Sequence, residues 1–295
     1  MQVRAGRGGA RPGTLPEDAE MENNEFLCCP KCKAELESAG KAGTGGQAAD
    51  VACLACAECG ARYSVAEAVP DFVGDRNIDV RLAQKLMQSR RMVSIYESRW
   101  WRGSRIFSRF MGITLEDEIA LIRKIDAAGP DDAILDLACG PGIFARAFAE
   151  ESPARRVFGL DLSWPMLRYA VRKAGKLGLA NITFLRGDAH ELPFRDGSLD
   201  VANCCGALHL FSDVRRVLGE LHRVLKPGGR LSVAAALVRP SSAFSRLKAY
   251  LDGRFWKIHY FRKEEMKGLL DEAGFAPTIH HARGIWMIAG GVRRA

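Results

Sequence analysis

The sequence predicts an α/β fold: a seven-stranded mixed sheet with helices on both faces, preceded by a small cysteine-bearing unit. Three observations carry this. From Ala133 onward, the short apolar runs AILDLA, RVFGLDL, ITFLRGD, LDVANCC and RLSVAAA are each followed by an amphipathic stretch, the alternation that builds a parallel sheet with a helix in every crossover. Near the C-terminus, PTIHHA and GIWMIAGG lie only a few residues apart, which predicts an antiparallel hairpin at one edge of that sheet. Six of the nine cysteines fall between positions 28 and 59, well ahead of the first of these runs.

Composition sets the frame. A chain of 295 residues allows one large domain or two unequal ones. With 47% hydrophobic and 26% charged residues, it can build a core, and disorder along its whole length is excluded. No apolar run approaches the roughly 18 residues of a membrane span. The opening MQVRAGRGGARPGTLPEDAE lacks the apolar segment of a secretory signal. The expected setting is therefore the cytoplasm, where clustered cysteines read as metal ligands before disulfides. The net charge is +8, with pI about 9.1, which favours acidic partners. Nearly all of the excess sits in residues 81–110, where Arg81, Lys85, Arg90, Arg91, Arg99, Arg102, Arg105 and Arg109 face a single acid, Glu97.

Taken in order, residues 1–23 read as a disordered tail in which Arg4, Arg7 and Arg11 balance Glu17, Asp18 and Glu20. Met21 opens the more protein-like MENNEFL and is a candidate start. Residues 24–73 form the cysteine unit, with a Gly/Ala-rich insert from Ala39 to Ala49 as a loop tip. Residues 74–115 read as a helical linker or cap, with Leu82, Leu86, Val93, Tyr96 and Trp100 at helical spacing. Thr114-Leu-Glu-Asp-Glu is a helix start with acids in its first turn. The α/β domain fills 116–295.

Cys29-Pro-Lys-Cys32 and Cys56-Ala-Glu-Cys59-Gly60 are two knuckles separated by 23 residues. A two-residue spacer lets both thiolates of a pair reach one ion, and two pairs supply the four sulfurs of a tetrahedral structural Zn²⁺ site. The unit is accordingly a zinc ribbon. Cys28 and Cys53 are spare; Cys53-Leu-Ala-Cys56 offers an alternative second knuckle, but the Cys-Gly ending favours Cys56 with Cys59. Four sulfurs leave no open position for catalysis at the metal.

The first strand of the larger domain runs into Asp136-Leu-Ala-Cys139-Gly140-Pro141-Gly142-Ile-Phe-Ala145, and the second ends in Asp161, 19 residues after Gly142. Glycines shape such a turn and let a ligand approach the backbone, while an acid ending the second strand accepts from ribose hydroxyls. On these residues alone a nicotinamide cofactor stays open, because Gly140 to Ala145 also fits G-x-G-x-x-A. Three further segments narrow the choice: Gly187-Asp188-Ala189-His-Glu-Leu-Pro193-Phe194, Cys204-Cys205-Gly-Ala-Leu-His209, and Leu221-His-Arg-Val-Leu-Lys226-Pro-Gly-Gly229.

Together, D-x-x-C-G-P-G, D-L-S-x-x-M-L, G-D-A-x-x-L-P-F and R-V-L-K-P-G-G resemble the class I S-adenosylmethionine (SAM) methyltransferases, with their Rossmann-like domain. The branch is similar to that of the ubiquinone/menaquinone-biosynthesis C-methyltransferases, over roughly residues 90–295. With the ribbon in front, the whole chain resembles the zinc-ribbon methyltransferases of plant plastoglobules and their bacterial relatives; Tyr96-Glu-Ser-Arg-Trp100-Trp-Arg and Tyr260-Phe-Arg-Lys-Glu-Glu265 fit that group. The resemblance implies that Asp136, Ala138, Cys139, Gly140 and Gly142 line the methionine end of SAM. It implies ribose on Asp161, adenine against Leu162, and the adenine amino group on Asp188 beside the Ala189 amide. The backbone near Cys204 would close over the sulfonium. The acceptor it implies is a small, hydrophobic or aromatic molecule.

A dedicated base is needed only if the acceptor is protonated. His209, just past the fourth strand, is the candidate, because ligands bind at the carboxyl ends of such strands; an equal reading is that it only orders the loop. His190 is weaker, His259 and Tyr260 read as packing residues, and His280 and His281 as strand residues. Cys204 and Cys205 are not read as nucleophiles, since transfer from SAM needs no covalent enzyme intermediate. The basic stretch 81–110, with Tyr96, Trp100, Trp101, Phe107 and Phe110, leaves three readings: a solvated helix, a peripheral membrane contact serving a lipid-like acceptor, or an RNA contact. The last would go with an rRNA or tRNA base methyltransferase that uses the ribbon to bind RNA. A SAM-binding module without catalysis is a third functional class. Two outcomes are expected from sequence. Asp161→Ala weakens SAM binding, measured by calorimetry, without unfolding the protein. Cys29→Ser loses the metal, measured by elemental analysis, and leaves SAM binding largely intact.

Overall fold

The computed structural model describes residues 25–41, 52–76, 78, 104–238, 243–255 and 257–295. The tail 1–23 with Met21, residues 42–49 of the Ala39–Ala49 insert, and the part of the basic stretch from Arg81 to Arg102 lie outside them; residues 39–41, read as loop, instead end a strand whose Lys41 pairs with Ala52. Among the described residues no helix is long and apolar enough to cross a membrane.

The strands form two sheets. β1 (Leu36–Lys41), β2 (Ala52–Cys56), β3 (Arg62–Ala66) and β4 (Val69–Pro70) make an antiparallel meander. The second sheet has seven strands: β5 (Ala133–Leu137), β6 (Arg156–Asp161), β7 (Ile182–Arg186), β8 (Leu199–Cys205), β9 (Leu225–Ala236), β10 (Phe275–Arg283) and β11 (Trp286–Arg293), in the order β10-β11-β9-β8-β5-β6-β7. The five central strands predicted as parallel are joined by four parallel pairings from β7 through β9, and β10–β11 is the expected antiparallel hairpin, paired to β9. One boundary differs from expectation. β9 begins at Leu225, opposite Leu199, and Lys226-Pro-Gly-Gly bulges out before the register resumes at Val201 and Arg230.

Among the described residues the helices are α1 (Arg105–Met111), α2 (Leu115–Asp126), α3 (Ile143–Glu151), α4 (Trp164–Leu177), α5 (Val214–Val224), α6 (Ala243–Phe255) and α7 (Lys263–Glu272), with a 3₁₀ turn at Leu208–Leu210. Their starts are set by side chains that accept otherwise unpaired amides: Thr114 for Asp117, Ser163 for Met166 and Asp213 for Arg216. Strand periodicity sorts the sheet's side chains into two cores. On one face Leu135, Leu137, Phe158 and Leu160 meet Leu218 and Leu221 of α5 and Leu270 of α7. On the other, Ile134, Val157 and Ile288 meet Ile122 of α2, Phe148 of α3 and Leu167 of α4. All five residues of β5 are buried, as a central parallel strand covered on both sides requires.

The ribbon is welded to this domain. Phe26, Leu27, Leu36, Tyr63 and Phe72 belong to the same core cluster as Phe158 and Phe194. Phe26 meets Phe158 with ring centroids 5.3 Å apart, and Phe158 meets Phe194 at the same separation. Backbone bonds flank these rings: the Cys28 amide donates to the Pro193 carbonyl and the Arg195 amide to the Phe26 carbonyl. At the far end, the Phe72 amide donates to the Arg186 carbonyl, so the chain leaving β4 lies along β7, the sheet's edge strand, and covers hydrogen-bonding groups that would otherwise be bare. Phe158 is the ring on which ribbon and sheet converge. Phe158→Ala is expected to cost about 3–5 kcal/mol, read as a lowered urea midpoint.

Candidate active site

The chain turns sharply after β5. Ala138, Gly140 and Gly142 all have left-handed backbone, with φ of 53°, 53° and 78°. At Gly142 an added methyl would sit 3.1 Å from Ala170 Cβ and 3.3 Å from the Phe184 ring, whereas at Gly140 it would meet only Met166 Sδ at 4.0 Å. The turn is packed on its helix side and open on the other. Its outer amide is tied to the next strand: Gly140 N–H donates to Asp161 Oδ2 at 2.9 Å, and Ser163 N–H donates to Oδ1 at 2.8 Å. Burial raises the Asp161 pKa above its ordinary value, partly countered by these amides.

Asp136, only 1% exposed, accepts from the Ala145 amide in the first turn of α3 at 2.9 Å and from Asn203 Nδ2 at 2.7 Å. The chain of bonds continues. Ser232 Oγ lies 3.1 Å from Asn203 Oδ1 and 3.0 Å from Asp126 Oδ2. One hydroxyl proton serves one acceptor. All three bonds can be made together when Asp126 is protonated and donates to Ser232, which donates to Asn203, whose amide donates to Asp136; Asp126 Oδ1 stays buried without a partner. Burial raises Asp126 well above the carboxylate range, consistent with that arrangement. Burial also raises Asp136, to about 7, against the bonds from Asn203 and Ala145 and with the charge of Asp161 adding to the rise. The chain follows from register: Asp136 pairs with Asn203 across β5–β8, and Asn203 with Ser232 across β8–β9.

A cleft of about 480 Å³, solvent mouth included, opens at the carboxyl ends of β5, β6 and β7. Ala138, Asp161 and Leu162 form one side, Asp188, Ala189 and His190 another, and Leu210 to Ser212 a third. Asp188 Oδ1 accepts from the His190 amide at 3.0 Å and lies 2.7 Å from His190 Nδ1; Ser212 Oγ is 3.3 Å from His190 Nε2. Burial alone would raise Asp188, but the bonds to His190 and the charges of His190 and Arg76 outweigh it and hold the carboxyl below its ordinary value.

A family model described as a methyltransferase domain matches residues 134–229, from β5 through the bulge of β9. A demethylmenaquinone methyltransferase of Thermus thermophilus is 36% identical over 163 residues, which span 48% of this chain and 74% of that one. This chain belongs to the class I, SAM-dependent methyltransferases. An uncharacterised chloroplastic methyltransferase of Arabidopsis thaliana is 26% identical over 265 residues, covering 86% of this chain and 74% of the plant protein. Among solved structures, phosphoethanolamine N-methyltransferase 2 of Haemonchus contortus, in complex with phosphomonomethylethanolamine and S-adenosylhomocysteine, superposes with a TM-score of 0.59 at 17% identity, over 74% of this chain and 61% of that one. That likeness speaks to the fold.

In this methyltransferase the structure brings together Ala138, Asp161, Leu162, Asp188 and Ala189 around one cleft. Gly140 joins them through its bond to Asp161. Asp136, Cys139 and Gly142 are not among the residues that line the cleft. The Cys204 side chain points into the core, and burial raises its pKa; only its backbone can face a ligand. Cys205 Sγ lies 3.0 Å from Asn203 Oδ1. His209 is not in the cleft lining, and its ring stands edge-on to Trp286 with centroids 5.8 Å apart. His259 pairs with Glu265, Tyr260 with Asp252, and His280 and His281 lie on β10. Ile78, Phe211, Ser212 and Arg186 escaped the sequence reading; so did Asn203 and Ser232, which only strand register could have linked to Asp136.

The four knuckle cysteines have Sγ atoms within 4.8 Å of one another, and among the described residues they form the one metal-competent cluster. Cys29 and Cys59 lie 3.6 Å apart and Cys32 and Cys56 3.3 Å, near the ~3.8 Å edge of a tetrahedron with ~2.3 Å metal–sulfur bonds. Cys53 stands outside this set, which agrees with the choice of Cys56 and Cys59. The two knuckles are alike: the Cys29 amide bonds the Ala34 carbonyl as Cys56 bonds Ala61, and Lys33 bonds back to Cys29 as Gly60 does to Cys56. Tyr63 Oη lies 3.1 Å from Cys29 Sγ, placed to donate to a thiolate.

The raised Asp136 predicts a pH effect. A carboxyl whose folded pKa is raised contributes stability that is fully present below its ordinary value and lost as pH rises through about 7. Asp126 and Asp161 are raised too and share the sign. Urea unfolding of the cofactor-free protein should therefore show lower stability at pH 8 than at pH 5.5, with a shallower slope in Asp136→Asn.

Proposed function

We propose that this methyltransferase carries a methyl group from SAM to a small, hydrophobic and aromatic molecule of the quinone class. The observation that carries the substrate class is the 36% identity to a relative named demethylmenaquinone methyltransferase, across most of that relative's length. The donor set of the cleft fits the cofactor. Asp161 would hold the ribose hydroxyls, Leu162 would face adenine, and Asp188 with the Ala189 amide would meet its polar edge. Ala138, Cys139, Gly140 and Gly142 would shape the turn over the methionine end, near the backbone of Cys204. The open side of Gly140, where a Cβ meets nothing closer than 4.0 Å, leaves room for a close approach.

SAM, when bound, supplies a methyl group on a sulfonium, already activated for in-line displacement. The chain's task is to align the acceptor and exclude water. Asp136 is suited to the cofactor's ammonium: a cation beside it favours its charged form and offsets the cost of its burial. A proton-removing role for His209 rests only on its place just past β8 in the sequence; its ring stands against Trp286 outside the cleft lining, which favours its alternative role of ordering the loop. His190, although in the cleft, is held by Asp188 and Ser212. Cys29, Cys32, Cys56 and Cys59 would hold a structural Zn²⁺, whose contribution is folding and not chemistry.

The test is to incubate the protein with methyl-labelled SAM and an extract of its own cells, then separate organic-soluble, RNA and protein fractions. Label is expected in the organic phase. Label in RNA would replace this reading with that of a base methyltransferase, and SAM binding with label in no fraction would favour a non-catalytic module.

A further inference from the structure

We propose that the chain trailing the ribbon, through Asp71, Arg76 and Ile78, walls the cofactor site, so that the ribbon and its metal set the affinity for SAM. The proposal rests on the reading of the cleft as the SAM site and goes beyond it, by assigning positioning roles to Asp71, Arg76 and Arg186.

Three contacts carry it. The first is a buried clamp. Arg186, the last residue of β7, donates from Nη1 to Asp71 Oδ2 at 2.8 Å and from Nε to the Leu162 carbonyl at 3.1 Å. One guanidinium thus joins an acid of the ribbon's trailing segment to the backbone of the residue that follows Asp161. The pair is well shielded, with side chains 17% and 8% exposed. The other oxygen of Asp71 accepts from the Val73 and Gly74 amides at 2.9 Å each, fixing the turn that carries the chain onward.

The second contact reaches the opposite side of the cleft. Arg76 donates to Glu191 at 3.0 Å and to the Phe72 carbonyl at 2.8 Å. Glu191 in turn accepts from Arg216, which also donates to the His190 carbonyl. The loop bearing Asp188 and His190 is thereby tied to the ribbon, and the charge of Arg76 is one of those that hold Asp188 in its ionised form. The third is direct: Ile78 lines the cleft together with Leu162 and Asp188.

The metal enters through chain continuity. Asp71 lies just past β3 and β4, which begin immediately after the second knuckle. Binding an ion to four thiolates folds such a unit, and removing it loosens the unit. A loosened ribbon lets go of Arg186 and, with it, the Leu162 backbone. This departs from the expectation of two separable units, under which loss of the metal spares SAM binding.

The experiment uses the full-length, zinc-loaded protein and reads SAM affinity by calorimetry, with metal content and thermal unfolding measured alongside. Asp71→Asn keeps an acceptor for Val73 and Gly74 but removes the charge facing Arg186. It is expected to retain its metal and raise the SAM Kd about tenfold, within the usual range for coupled sites. Arg76→Ala, at a half-exposed pair whose loss spares the core, is expected to raise Kd in the same direction. Chelating the metal from the wild type should raise Kd as well. Glu25→Ala removes a ribbon contact to Arg156, at the opposite end of β6 from Asp161, and is expected to leave Kd unchanged. If Asp161→Ala weakens SAM binding while Asp71→Asn, Arg76→Ala and metal removal all leave Kd within twofold of wild type, the coupling is wrong and the site reading survives. If Asp161→Ala has no effect, both fall.

Discussion

The structure depends on one costly placement: a carboxylate, Asp136, buried at the centre of a parallel sheet. An isolated charge there would be prohibitive. The fold answers with a helix N-terminus on one side, through the Ala145 amide, and a side-chain amide on the other, through Asn203. Asn203 needs its own acceptor satisfied, which brings in Ser232, and Ser232 brings in Asp126 at the end of α2. The polar chain crosses three adjacent strands where apolar side chains would otherwise stand. Each member has at least one partner, and the remaining cost sits at its outer end, where Asp126 Oδ1 is buried without a hydrogen bond. β5 and β8 are also the strands between which the order of the sheet reverses, the place where open α/β sheets gather ligands.

The second organising feature is the shared core of ribbon and sheet. A unit of about fifty residues buries too little apolar surface to be stable without help. Here a cluster of four cysteines able to hold a metal closes one end, and Phe26, Tyr63 and Phe72 add their rings to the larger domain at the other. The two knuckles show how local geometry gives way to docking. Gly60 takes left-handed backbone at φ 69°, the ordinary choice of residue there, but the equivalent position in the first knuckle is Lys33 at φ 64°. A lysine accepts the less favourable backbone, and its Nζ reaches the Leu192 carbonyl and Glu220 at 3.2 Å each. Glu220 also takes the Leu192 amide and Arg223. A turn that sequence rules assign to glycine was given instead to a residue that anchors the ribbon to α5.

Much of this was legible in the chain because the signals are local. Two-residue cysteine spacing, a glycine turn after an apolar run, and an acid at the end of the next run each depend on a handful of neighbours. The structure brings Asp161, which those signals mark, to one cleft with Ala138, Leu162, Asp188 and Ala189, which only the family resemblance marked. Thr114 caps its helix as read, and the C-terminal hairpin pairs as read. The early start of β9 was missed because Lys226-Pro-Gly-Gly looks like a loop; the strand includes it as a bulge, since Leu225 still finds Leu199 across the sheet.

The sequence by itself determined the layer architecture, the grouping of four cysteines and the identity of the acids at the strand ends, because periodicity and spacing are properties of the chain. The tertiary structure alone decided which groups those acids meet. Asn203 and Ser232 come to Asp136 through strand register, which no local pattern encodes. Arg186 and Asp71, 115 residues apart, meet because β4 runs along the edge of β7. His209 has the right place in sequence, yet its ring stands against Trp286 and not in the cleft lining. The ribbon, separate by composition, is one body with the catalytic domain because their apolar faces have no better surface to bury against than each other.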